Sequence, residues 1–92
     1  MEIGDKVKVI DFGERYTTYD EMFKKLKFTN KGYNDFPEGK SSKDYKNTKF
    51  TVFGKINHED DDKVMLVAIK APDGLELLVG FSGLKRMRNA KI

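Results

Sequence analysis

The sequence predicts a mainly β domain (α+β in detail): a small five-stranded barrel with a short helix and a long loop inserted after the first strand. Three observations lead there. Period-two alternation recurs in short segments, turn formers separate those segments closely in the second half of the chain, and only one stretch carries helical spacing. Ninety-two residues read as one domain, 1–92, with a core large enough to fold alone but not generous.

The first strand is read from Ile3, Val7 and Val9, which alternate with Gly4, Lys6 and Lys8. Asp11-Phe12-Gly13 ends it. The helix, 18–27, opens at Thr18, a natural N-cap that Glu21 completes as a capping box. Tyr19, Met22, Phe23 and Leu26 share one face, and acids precede lysines along it as the helix dipole favours. At about two to three turns it is too short to persist alone and is expected to lie on a sheet. Residues 28–48 show neither period. Their turn formers enclose Tyr33, Phe36 and Tyr45, and a structureless loop of this length is uncommon unless disordered or functional.

The rest reads as strand. Phe50, Val52 and Ile56 alternate with Lys49, Thr51, Phe53 and Lys55, and Gly54 marks a bulge or bend. HEDDD at 58–62 is an acidic turn. VMLVAI lies within a buried strand, 63–70, and Pro72-Asp73-Gly74 turns the chain into another, 75–81. Ser82-Gly83 breaks the pattern before a short last strand, 84–87, and 89–92 are expected to fray. Five short strands with one long connection after the first point to an SH3-like barrel. A four-stranded antiparallel sheet with the helix on one face is the alternative.

Composition narrows the chemistry. Without cysteine there are no disulfides, thiol nucleophiles or thiolate zinc sites. No segment reads as a signal peptide or membrane span. No nucleophile stands at a recognisable spacing from a base, and no phosphate-loop glycine pattern occurs, so a binder is expected rather than an enzyme. His58 beside four carboxylates lacks a calcium-loop pattern and reads as a solvated turn, so neither a metal nor another cofactor is expected.

Charge is segregated. Residues 1–23 carry three bases and six acids, 24–49 eight lysines and three acids, 50–83 three bases and six acids, and 84–92 four bases and no acid. Two basic segments that met in space would attract an anion; apart, they would only solvate a loop and a tail. The acidic segments would repel a long polyanion, so a small anion suits the pattern better than extended nucleic acid.

The candidate ligand residues follow from that. Tyr16, Thr17 and Thr18 precede or open the helix, where free N–H groups favour an anion, and Arg15 adds charge. Tyr16 offers a stacking face. On the residues alone the simpler reading is structural, with Thr18 capping the helix and Tyr16 plugging the barrel end. In the tail, Lys85, Arg86 and Arg88 can pair with phosphates while Leu84 and Met87 anchor the segment.

GDKVKVID at 4–11, YTTY at 16–19 with Met22, and LLVGFSGL at 77–84 together resemble a group of short tailed-phage proteins. That group is connected with sponge proteins that counter the cyclic-oligonucleotide defence called CBASS. The resemblance spans the first 26 residues and the last third of the chain; 28–48 and the HEDDD turn lie outside it. It implies sequestration, without cleavage, of a cyclic di- or trinucleotide such as cyclic GMP–AMP. It also implies assembly as a homo-oligomer and action in the cytoplasm of the infected bacterium. Under it Tyr16 becomes a stacking platform, Thr17 and Thr18 hold a phosphate and Arg15 supplies charge. Chemistry adds a loop with Tyr33, Asn34, Phe36 and Lys40 that closes over the ligand, and Arg86 or Arg88 supplied by a neighbouring subunit. A protein-interaction module that occludes a host enzyme is the second expectation, and single-stranded nucleic-acid binding the third.

Overall fold

In the computed structural model the described residues are 2–12, 26, 28, 36–57 and 65–87. They form one antiparallel five-stranded sheet in the order β4-β3-β2-β1-β5. β1 is Lys6–Val9, β2 Phe50–Asn57, β3 Met65–Lys70, β4 Glu76–Gly80 and β5 Leu84–Arg86, with 3-10 turns at Ser42–Tyr45 and Phe81–Gly83. Among the described residues the sheet has five strands, not the four of the alternative reading. The expected helix, 18–27, lies outside the described residues except for Leu26, as do the acidic turn and the tail beyond Met87.

Local chemistry accounts for the strand ends. Gly4 takes φ 96°, open to glycine at little cost, and the Asp5 carboxylate accepts from the Glu2 N–H at 2.8 Å. Gly74 takes φ 101° in the β3–β4 turn, where the Asp73 carboxylate accepts from the Leu75 N–H at 3.0 Å. The β2–β3 register shifts between Val52 and Gly54, so the glycine does mark a bulge.

Alternation sorts the side chains onto two faces. Val7, Val9, Phe50, Val52, Val67, Ile69, Leu77 and Val79 form the centre of the first cluster, each 3% exposed or less. Leu66, Ala68 and Leu78 point to the second face and are fully buried there beneath Leu26, Phe28, Phe53 and Ile56. β3 is therefore covered on both faces, which explains why VMLVAI is continuously apolar rather than alternating.

The long connection between β1 and β2 touches both faces. Phe12, where it leaves the sheet, meets Phe36, where it returns, with ring centroids 5.7 Å apart, and both pack on the first cluster. Leu26 and Phe28 lie on the second cluster, Phe28 edge-on to Phe53 at 5.1 Å. Gly54 seats Leu26: a Cβ at that glycine would lie 2.7 Å from Leu26 Cδ2. The bulge thus also makes room for the connection.

The second half of 28–48 is more ordered than the lack of period indicates. The Ser41 N–H donates to the Asp44 carboxylate at 2.8 Å, the Asp44 N–H to the Ser41 carbonyl at 3.0 Å, and the 3-10 turn delivers Tyr45 into the first cluster, 4% exposed. A single 3-10 turn is too short to generate a periodic signal, so its Ser-x-x-Asp start was the only cue. Tyr45 stacks on Phe36 at 5.6 Å, and its hydroxyl donates to Asp73 at 2.6 Å, tying the connection to the β3–β4 turn.

Candidate functional site

The basic residues that the structure gathers lie on β1 and β5. Antiparallel pairing sets Val7 opposite Arg86, Lys8 opposite Lys85 and Val9 opposite Leu84. Because Val7 and Val9 face the first cluster, Lys6 and Lys8 must face the other way, with Lys85 beside Lys8. Register then carries the same face onward through Thr51 on β2 to Lys70 on β3. The second face is therefore divided: apolar and covered over β2–β4 at the bulged end, lysine-rich over β1 and β5.

Lys8, Lys85, Arg86 and Met87 line an open groove of about 430 Å³. Lys8 is half-buried and Lys85 exposed. Lys6 is committed elsewhere, its ammonium donating to Thr51 Oγ1 at 2.6 Å. Arg86 stands opposite Val7, so its side chain leaves on the other face, where its Nε lies 3.5 Å from the Asp5 carboxylate that the β1 entry turn orients. The Met87 N–H donates to the Lys6 carbonyl at 2.9 Å, so the groove's end rests on the sheet ladder. Among the described residues neither Lys8 nor Lys85 has a carboxylate partner. Like charges directly opposite across a strand pair repel, and an anion between them would relieve that cost.

Of the residues expected to bind ligand, Arg86 lines this groove. Phe36 and Lys40 have other surroundings. Phe36 is half-buried between Phe12 and Tyr45, and Lys40 is exposed on the Asp73 side of the molecule. The Tyr45 hydrogen bond, then the Leu75 N–H, hold the Asp73 carboxyl below its usual value despite partial burial, and the Lys40 charge adds to this. Burial and the same hydrogen bond push the Tyr45 hydroxyl up to about 12. Those shifts describe a structural latch. Arg15, Tyr16, Thr17, Thr18, Tyr33, Asn34 and Arg88 lie outside the described residues, and so does His58 with its carboxylates.

Sequence reasoning passed over Lys8. Its alternation with Val7 and Val9 put it on the polar face, but only the β1–β5 register brings it opposite Lys85. Among the described residues no group of carboxylates and histidines could hold a metal, and no helix is long and apolar enough to cross a membrane. Comparison with protein-family models, curated proteins and solved structures gives no match.

Proposed function

We propose that this protein binds a small phosphate-bearing ligand without transforming it, and that the ligand is a cyclic oligonucleotide signal such as cyclic GMP–AMP. In that role it is a phage anti-defence protein acting in the host cytoplasm. The observation that carries this reading is the groove where Lys8 and Lys85 lie side by side on one face of the sheet. A cyclic dinucleotide is compact, carries two phosphates and needs local positive charge rather than a long basic track, which a pair of adjacent lysines on β1 and β5 can supply. The resemblance to anti-CBASS sponges supplies the ligand class. Tyr16, Thr17, Thr18 and Arg15 are the sequence's candidates for stacking and further phosphate contact, with Tyr33, Asn34 and Arg88 beside them, and a homo-oligomer would bring such residues from two subunits to one ligand.

The architecture we infer is an SH3-like barrel. β4 and β5 are the outer strands of the order, yet only Phe81–Gly83 separate them. Four flat strand spacings would span roughly 19 Å, whereas four residue steps reach at most about 14 Å when fully extended and less through a 3-10 turn. That mismatch supports a sheet curled until its edges approach.

The test is a thermal-stability screen against cyclic di- and trinucleotides, followed by recovery of the ligand after denaturation. The reading predicts a rise of several degrees at micromolar ligand and intact release. No rise with any of them, or a cleaved ligand, overturns it. One observation favours a second reading as a protein-interaction module. Ile10 and Phe81 are 62% and 46% exposed, and the Ile10 N–H donates to the Gly83 carbonyl at 2.8 Å, which sets both near the second 3-10 turn. Co-purification of a host protein that an Ile10→Ser, Phe81→Ser variant releases would support it.

A further inference from the structure

We propose that Lys8 and Lys85 form a two-lysine clamp for a single phosphate group, and that Arg86, whose side chain leaves the sheet on the Val7 side and pairs with Asp5, is not one of its contacts. This rests on the phosphate-ligand reading above and names the part of the site that takes the phosphate.

The two lysines are Cα partners in the β1–β5 ladder, so their side chains leave the same face side by side. Neither ammonium is neutralised by a carboxylate among the described residues. The neighbouring cations are already occupied, Lys6 by Thr51 and Arg86 by Asp5. The groove between them is about 430 Å³, roomy enough for a phosphate with part of the group it carries. Lys8 is half-buried, so its charge is less screened than that of a free surface lysine. The half-buried Met87 closes the groove with a polarisable side chain suited to a ring or ribose beyond the phosphate.

A lysine on an outer strand, as Lys85 is on β5, also serves to discourage strand pairing between molecules, and a lysine kept only for that purpose needs no anion. The two roles differ in an observable way. A clamp is a site where binding is gained at the expense of the empty protein's stability, so removing one lysine should stabilise the empty protein and abolish the response to phosphate. Lysines that only protect an edge respond to anions no more than ionic strength requires.

The experiment measures melting temperatures of the wild-type chain, Lys85→Glu and Lys8→Gln. Each is measured alone, with millimolar pyrophosphate, with sodium chloride at matched ionic strength, and with cyclic GMP–AMP. Without added anion Lys85→Glu should melt about 2–4 °C above wild type, since a repulsive cross-strand pair becomes attractive. Pyrophosphate should raise the wild-type melting temperature beyond the chloride control and leave both variants at their control values. The proposal is overturned if pyrophosphate does no more than chloride, if the variants respond like wild type, or if Lys85→Glu melts at or below wild type. Cyclic GMP–AMP separates this proposal from the one beneath it. A pyrophosphate response lost in the variants, with no response to any cyclic nucleotide, keeps the clamp and removes the ligand assignment. An equal cyclic GMP–AMP shift in wild type and both variants keeps the ligand and removes the clamp.

Discussion

The two faces of the sheet are built to different standards. The first is closed by aromatic rings in series, Phe12 on Phe36, Phe36 on Tyr45 and Tyr45 on Phe50, over valines and leucines with almost no exposure. On the second, the buried apolar cluster among the described residues is Leu66, Ala68 and Leu78, under residues that are themselves half-exposed, and the β1–β5 part bears lysines instead. The same strands serve both faces, so the difference lies in what alternates with the core residues. The first face carries the larger apolar cluster, whereas the second bears lysines over part of its area.

The largest expected effect lies on the first face. Phe50→Ala removes a fully buried ring and should cost about 3–5 kcal/mol by chemical denaturation, a large share of a small domain's stability. Leu26→Ala on the second face should cost less, about 1–2 kcal/mol, because Leu26 is only half-buried and loses less buried apolar surface. If Leu26→Ala matched Phe50→Ala, the two faces would be equal partners and the comparison would fail.

Next comes the latch. Tyr45→Phe keeps the ring stack but removes the hydrogen bond to Asp73, with an expected loss of about 1 kcal/mol near neutral pH. Asp73 has a depressed folded value, so its contribution is fully present above the ordinary carboxylate value of about 4 and is lost as pH falls through the lower folded value. Wild type should therefore lose stability more steeply than Tyr45→Phe on acidification, which parallel denaturation series between neutral and acid pH would show. Tyr45 behaves oppositely at alkaline pH: its value is raised to about 12, so its contribution is present below about 10 and fades as pH climbs toward the folded value.

The smallest stability effect belongs to the groove. Arg86→Gln should change stability by only a few tenths of a kcal/mol, since the pair with Asp5 is largely exposed. A loss much beyond that would make Arg86 a structural residue of the β1 turn.

The sequence made the strands legible because each carries either alternation or a continuous apolar run bounded by turn formers. Gly54 as a bulge and Pro72-Asp73-Gly74 as a turn were readable from single residues, since each does something few others can. Tyr45 was not readable as core: it sits amid lysines and turn formers, and only the 3-10 turn swings it inward. The groove was half legible. The cluster of cations at 84–92 was visible, but the pairing of Lys8 with Lys85 joins residues at opposite ends of the chain through a register that no local pattern encodes. An aromatic in an aperiodic loop invites a ligand reading, and that pattern alone does not show that the Phe36 ring packs with Phe12 and Tyr45.

The central claim is that the lysine-bearing part of the second face, not its apolar part, receives a phosphate-bearing ligand. Backbone amide NMR during titration with cyclic GMP–AMP tests it most directly. The account predicts saturable shifts centred on Lys8, Lys85, Arg86 and Met87, with Leu66, Ala68 and Leu78 unmoved. Shifts centred on those apolar positions, or none at saturating ligand, would contradict it.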